Sequence, residues 1–196
     1  MVDQLSETDV HNYLLNDFNP IYADLVALLG EKPVDVVLQI EAAFVHLAVA
    51  SSNGDIAVDN YNKALSHLQR AALDVVKLLW LHKKKELSYV IEDRDIRSFC
   101  VNTSESEFLE QYSRAEKLAQ EARRVEISAV GVNPGASVEA YYEAAIAFDN
   151  ALQLVDYGKV KKFKQYRWRY ILRKHVVGFV YGVVAGVVAT YIYQYL

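Results

Sequence analysis

The chain has 196 residues, enough for one domain of ordinary size and a further short segment. Its single cysteine, Cys100, excludes an intrachain disulfide, and with only five scattered histidines we expect neither a metal site nor a cofactor. The net charge of −4 conceals an asymmetry, because residues 159–174 carry eight Lys and Arg and all 25 Asp and Glu precede them. Such an asymmetry is typical of a chain with one part at an anionic surface.

The first predicted helix begins after Ser6, because Asp9 stands at the spacing of a capping box. An apolar stripe of helical period follows. Asn19-Pro20 should kink or split this helix, since proline has no N–H to donate and restricts the residue before it. Gly30 should end it, because glycine readily takes the left-handed conformation found at helix C-termini.

The second predicted helix begins at Pro33, a favourable first residue, and covers residues 34–50. Its sequence VDVVLQIEAAFVHLAVA is apolar on nearly all sides, which predicts a position at the centre of a bundle or in a subunit interface. His46 has no second metal-type residue at a useful spacing, so we expect a hydrogen-bonded core histidine. SSNGD, residues 51–55, is the turn that follows.

The third predicted helix starts near Asp55 or Asp59 and is long. It either persists through Lys83–Lys85 to about Ile91 or bends there. The charged sequence EDRDIR, residues 92–97, is expected to be a solvated connection. The predicted buried stripe of this helix is Tyr61, Ala64, Leu65, Leu68, Ala72, Val75 and Leu79.

Two further predicted helices complete the soluble part. Ser104 and Glu107 have capping-box spacing before the fourth helix, and GVNPGAS (residues 131–137) is predicted to be a loop. The fifth helix starts near Ser137, and Gly158 is either its C-cap or a joint. Their predicted inner faces are Phe108, Tyr112, Ala115, Ala119 and Ala122, and then Tyr141, Ala144, Ala145, Phe148, Leu152 and Val155.

The pattern predicts an all-α fold, because nothing in residues 1–158 alternates like a strand. We expect residues 1–158 to form a cytosolic bundle of about five helices. Residues 159–174 would form a basic, aromatic juxtamembrane helix, and residues 175–196 one C-terminal transmembrane helix.

The last segment, HVVGFVYGVVAGVVATYIYQYL, contains no Lys, Arg, Asp or Glu. Twenty-one helical residues rise roughly 32 Å, about the thickness of the hydrocarbon core of a bilayer. The cations before it place the bundle in the cytoplasm by the positive-inside rule, and the acidic, polar start of the chain lacks a signal-peptide pattern. We therefore expect a single-pass membrane protein whose N-terminal bundle is cytoplasmic.

Small residues repeat along one face of this predicted span. Gly178, Gly182 and Gly186 stand four residues apart, a spacing that lets helix backbones approach closely in lipid. The pattern predicts a homo-oligomer that associates through Gly178, Gly182, Gly186, Ala185, Ala189 and Thr190.

The basic segment next to the span has two interpretations. Its cations and aromatic rings could hold nucleic acid by phosphate contacts and base stacking. Beside a membrane span, anionic lipid headgroups are the simpler partner. The predicted lipid contacts are Lys159, Lys161, Lys162, Lys164, Arg167, Arg169, Arg173 and Lys174.

Signatures of enzymes are missing: the sequence has no phosphate loop, no H-E-x-x-H, no C-x-x-C and no G-x-S-x-G. No base is expected near Cys100, which reads as a buried structural cysteine. We therefore expect no catalytic residues and no small-molecule substrate.

Long helices with Tyr and Ala stripes and a polar face, such as YNKALSHLQRAALDVVK at residues 61–77, resemble the HEPN helical bundles of bacterial defence and toxin systems. The resemblance covers about residues 34–158. Ribonucleases of that group use an Arg and a His separated by four to six residues, a spacing that Arg169 and His175 match. Tyr170 follows Arg169 where the family has a polar residue, so the resemblance implies a catalytically inactive fold. Some such bundles carry membrane helices, as in the membrane accessory proteins of type VI CRISPR systems, which are thought to oligomerise and permeabilise membranes. The resemblance implies a protein of the bacterial inner membrane, and a eukaryotic tail-anchored protein is the alternative.

Three functions are consistent with these patterns. The first is an antiviral effector whose span self-associates and perturbs or permeabilises the membrane. The second is a tethered binding module whose acidic bundle recruits a basic or RNA-bound protein partner. The third is an HEPN-type ribonuclease that uses Arg169 and His175.

Overall fold

The computed structural model describes residues 5–52, 54–128 and 134–195, and within these ranges the chain is helical apart from short connections and one isolated antiparallel bridge, Val101 to Val155. The predicted all-α class is confirmed. The helices are α1 (Glu7–Asn12), a π-helical segment (Tyr13–Phe18), α2 (Asn19–Leu29), α3 (Val34–Ser52), a 3-10 turn (Gly54–Ile56), α4 (Ala57–Glu92), α5 (Arg94–Cys100), α6 (Glu105–Ser128), α7 (Pro134–Gln153) and α8 (Tyr157–Tyr195).

The N-terminal helix has the predicted cap and the predicted end. The Ser6 backbone N–H donates to the Asp9 carboxylate over 2.8 Å, and the Asp9 N–H donates back to the Ser6 hydroxyl. The irregularity around Pro20 takes the form of the π-helical segment just before it, where the Asn19 N–H bonds five residues back. The wider turn fits the missing N–H of proline. Gly30 ends α2 at a φ of 73°.

The prediction placed this helix at the centre of the bundle or in a subunit interface, and the position of α3 corrects the first of these alternatives. It packs along α4 through one side only, and large apolar side chains remain exposed on the other. The centre is taken by α4, which offers α3 a single face. The helix begins at Val34, one residue later than predicted, and the Pro33 carbonyl accepts its first N–H bond. The exposed residues are Val34, Leu38, Phe44, Val45 and Val49.

The central helix is α4, an unbroken helix of 36 residues that packs against α2, α3 and α7. The prediction that it persists through the lysine run is confirmed. Its buried residues repeat at helical spacing along its length, with Tyr61 and Leu65 of the predicted stripe only half-buried. They are Asn60, Ala64, Leu68, Ala71, Ala72, Val75, Val76, Leu79, Leu87 and Val90.

The expected solvated connection at residues 92–97 is wrong, because most of it forms α5. The Asp93 carboxylate accepts the N–H groups of Asp95 and Ile96 and so caps this helix. Ile96 is buried, and the Arg97 guanidinium bonds the Glu105 carboxylate. Cys100 is also buried, as predicted.

The next two helices have the predicted inner faces. Ser104 accepts the Glu107 N–H over 3.2 Å at the start of α6. Residues 131–133 of the predicted loop lie outside the described residues, and residues 134–137 belong to α7, which begins at Pro134 rather than near Ser137. Proline suits a first helical position because its missing N–H would be unpaired there in any case.

The last helix, α8, runs without interruption for 39 residues. It begins at Tyr157, so Gly158 lies in its first turn rather than at the end of α7, and the Asp156 carboxylate caps it by accepting the Lys159 N–H over 2.9 Å. The predicted juxtamembrane and transmembrane segments are thus one helix. By length and composition alone, α3 and α8 are the two described helices apolar enough to cross a membrane.

Candidate functional site

The first three turns of α8 lie against the bundle. Val160 is buried in the core between α4, α5, α6 and α7, and Phe163 packs against the same core. The Phe163 ring stacks on Phe99 of α5, with ring centroids 6.2 Å apart. This apolar contact fixes one side of α8 to the bundle.

Two cations of α8 extend the same contact. The Lys164 ammonium lies 4.3 Å from the centre of the Tyr89 ring, and the Arg167 guanidinium pairs with the Asp93 carboxylate. Burial alone would raise the pKa of Asp93, but the Ile96 N–H and Arg167 together bring that pKa below its ordinary value. We call the contacts of Val160, Phe163, Lys164 and Arg167 with the bundle the clasp.

The eight predicted lipid-contacting cations therefore fall into two groups. Lys164 and Arg167 belong to the clasp, and Lys159 bonds Asn102 over 3.1 Å and the Asp156 carboxylate. These three are held by the bundle. All eight are exposed to solvent, but the other five have no hydrogen bond or ion pair with the described residues of the bundle: Lys161, Lys162, Arg169, Arg173 and Lys174.

These five cations differ in their distance along α8 from His175, the first residue of the predicted span. At 1.5 Å per residue, Arg169, Arg173 and Lys174 lie within about 9 Å of His175, whereas Lys161 and Lys162 lie roughly 20 Å before it. A span that begins at His175 and crosses the bilayer upright brings only the first group to the headgroup layer. At 100° per residue, all of these cations except Lys174 project from the side of α8 opposite the clasp.

The predicted association face is open along its length. A methyl group built on Gly178, Gly182 or Gly186 would meet no atom within 4 Å. The Thr190 hydroxyl donates to the Gly186 carbonyl over 2.9 Å, so its polar group is satisfied within the helix. Side chains from Val176 to Thr190 are exposed around the whole circumference. This half of α8 therefore has no partner within the described part of one chain.

The ribonuclease spacing is not assembled within one chain. Arg169 and His175 both lie in α8, six residues apart. At 100° per residue their side chains are rotated by about 240°, so they leave the helix on different sides.

Two features of the bundle were not predicted: a pair of stacked histidines and a groove between three helices. The His46 and His67 rings stack with centroids 5.3 Å apart between α3 and α4. His46 bonds the Asn60 side chain over 3.0 Å and His67 bonds Gln39 over 2.8 Å, so His46 is hydrogen-bonded as expected. Among the described residues, no group of three or more His, Cys, Asp or Glu could hold a metal.

The second feature is a groove of about 510 Å³ between α2, α4 and α7. Leu28, Tyr142 and Ile146 form its apolar wall, and the Lys83–Asp149 ion pair lies at its edge. No sequence motif marks it, since its lining comes from three separate helices.

Comparison with protein-family models, with curated proteins and with solved structures found no match. The HEPN resemblance therefore stays a prediction.

Proposed function

We propose that this chain is a single-pass membrane protein anchored by residues 175–196, and that its copies associate in the bilayer through the glycine face of α8. The observation that carries the proposal is the open face at Gly178, Gly182 and Gly186, in a helix half that contacts nothing else in the described chain. A helix so apolar and so exposed needs an apolar solvent or a partner.

Lipid gives helices little hydrophobic reason to associate, so close backbone contact must supply the attraction. Glycines on one face remove the side chains that would hold two backbones apart. Ala185 and Ala189 border that face and widen it. The geometry therefore favours self-association over a simple tether.

On the HEPN resemblance we further propose that assembly perturbs the membrane as part of bacterial antiviral defence. The described span carries no charged residue to line an ion-selective channel. A leaky assembly fits this composition better than a selective pore.

The test is the monomer–oligomer equilibrium of the full chain, measured by sedimentation equilibrium in density-matched detergent over a wide range of protein-to-detergent ratios. Gly182→Leu with Gly186→Leu fills the proposed face and should weaken association at least about tenfold. Val180→Leu with Val184→Leu is the matched control, because it adds bulk on the opposite side of α8. Equal association of the wild type and the glycine variant would reject the proposal.

A second function is favoured by α3. Its outer face leaves five large apolar side chains between 38% and 71% exposed, which suits a docking surface for a protein partner of the tethered module. Replacing residues 175–196 with an unrelated span separates the two functions. The tethered module keeps its activity after this change, whereas the self-associating protein loses it.

A further inference from the structure

The clasp and the glycine face lie on nearly the same side of α8. Taking 100° per residue, the clasp residues point in a mean direction about 50° from the mean direction of Gly178, Gly182 and Gly186 and their small neighbours. The helix between them is continuous, so this relation holds across the predicted membrane boundary. The bundle therefore packs on the side of α8 that a second span would approach.

We propose that the clasp is an autoinhibitory contact, in which the docked bundle and a second copy of α8 compete for the same side of the helix. This inference rests on the proposed function and states how the association is regulated. The glycine faces of two copies pack fully against each other only when the bundle of each copy has dissociated from its α8.

The competition follows from helix dimensions. Helices that meet through glycines four apart cross at about −40°. Arg167 lies 15 residues, or about 22 Å along the helix, before Gly182. If two α8 helices cross near Gly182, their axes are therefore only about 17 Å apart at the level of Arg167. When both clasps are closed, α5 packs on this side of each α8, so two α5 helices lie between the two α8 helices. Three interaxial distances of 8–10 Å then separate the two α8 axes, which makes about 24–30 Å. The two arrangements do not fit together.

The clasp is suited to opening because its polar contacts are weak. Arg167 is half-exposed, and an ion pair in contact with water contributes little. Lys164 and Phe163 contact their aromatic partners at the edge of the bundle rather than in its centre. Gly158 lies in the first turn of α8, where its low helix propensity offers a hinge. Among the described residues of α8, Val160 and Phe163 are the two that pack in the core formed by α4, α5, α6 and α7.

The experiment compares two pairs of substitutions in the full chain. Lys164→Gln with Arg167→Gln removes the polar half of the clasp. Lys161→Gln with Lys162→Gln removes two positive charges from the side of α8 that faces away from the clasp. Loss of one exposed ion pair and one cation–π contact should make opening of the clasp about tenfold more favourable in each chain. Because both chains of a dimer open their clasps, sedimentation equilibrium in density-matched detergent should show association up to about a hundredfold tighter for the clasp variant. The control should match the wild type.

Each variant is also measured with Gly182→Leu and Gly186→Leu. If the clasp variant gains affinity and the glycine substitutions remove the gain, the inference is supported. If the wild type and the clasp variant associate equally, and both depend on the glycines, the proposed function stands and the clasp inference is overturned. If the glycines affect neither, the proposed function fails as well.

Asp93→Asn opens the clasp from the bundle side. Asparagine still caps α5, because its side-chain oxygen accepts N–H bonds as aspartate does, but it loses the charge that faces Arg167. We expect tighter association here too. A change seen with Arg167→Gln but absent with Asp93→Asn would contradict competition between the bundle and a second span.

Discussion

The Tyr141 hydroxyl donates a 2.8 Å hydrogen bond to the Glu126 carboxylate and so joins α7 to the end of α6. The Lys77 ammonium of α4 and the Arg123 guanidinium pair with the same carboxylate. One half-buried anion therefore connects three helices. Burial alone would raise the pKa of Glu126, but its bonds to Lys77 and Tyr141 bring that pKa below its ordinary value.

Replacement of Glu126 should lower the stability of the bundle. Glu126→Gln leaves Lys77 without its counter-charge and weakens a charge-assisted bond, which should reduce the free energy of unfolding by about 1.5–3 kcal/mol. Urea denaturation of the detergent-solubilised chain measures this. Glu121→Gln, on the exposed side of α6, is the control and should change little. A loss no larger than that of the control would show that Glu126 does not connect the helices.

The stacked histidines should make the contact between α3 and α4 sensitive to acid. Burial, followed by the nearby His46 and Arg70, lowers the pKa of His67 below 6.5. The unfolded chain then binds the proton more readily than the folded chain, so stability should decrease as the pH falls through 6.5 towards the lowered pKa. No such dependence arises from His67 above that window.

His67→Gln removes this titration while keeping a polar partner for Gln39. Urea midpoints compared between pH 7.5 and pH 5 should therefore fall less in the variant than in the wild type. His11→Gln, at an exposed site on α1, is the control. Parallel pH profiles for the wild type and His67→Gln would reject the assignment.

Phe148 should be one of the most costly residues to truncate. It is fully buried, and its ring meets the edge of Tyr112 with centroids 5.8 Å apart. Phe148→Ala should lower the free energy of unfolding by about 3–5 kcal/mol, because the cavity left behind adds to the lost burial. Phe44→Ala, at an exposed position of α3, should cost far less. Urea denaturation distinguishes the two, and a similar loss for both would contradict the packing.

The exposed cations should differ in their contact with lipid. Arg173→Gln with Lys174→Gln should reduce the preference for phosphatidylglycerol over phosphatidylcholine, since each cation near the surface contributes about 1 kcal/mol. Lys161→Gln with Lys162→Gln should leave it unchanged. Quenching of Trp168 fluorescence by brominated lipids of the two kinds reports the preference. Equal effects of the two pairs would mean that α8 does not stand upright on the bilayer.

Local signals were enough to predict some elements. The Ser6 cap, the end at Gly30 and the length of α4 depend on residues within a few turns of one another. The α5 helix was missed because its stabilising contacts, such as Arg97 with Glu105 and the burial of Ile96, appear only after folding.

The clasp could not be predicted for a similar reason. Asp93 and Arg167 are separated by 74 residues, and nothing in a run of cations marks which of them will find a carboxylate. The prediction that α3 lies at the centre of the bundle was wrong, because apolar composition indicates that a helix packs against apolar neighbours but not how many neighbours the fold supplies. Its alternative, a subunit interface, stays a prediction.

Because α8 continues unbroken from the bundle into its apolar half, the number of residues between the two parts sets the rotation of the bundle about the helix axis. One alanine inserted between Tyr170 and His175 turns the bundle about 100° around the span, and four insertions return it to within about 40° of its starting direction. In the proposed membrane assembly, the orientation of the bundle relative to its neighbours would thus depend on the number of residues between the clasp and the proposed span, independently of their chemical identity.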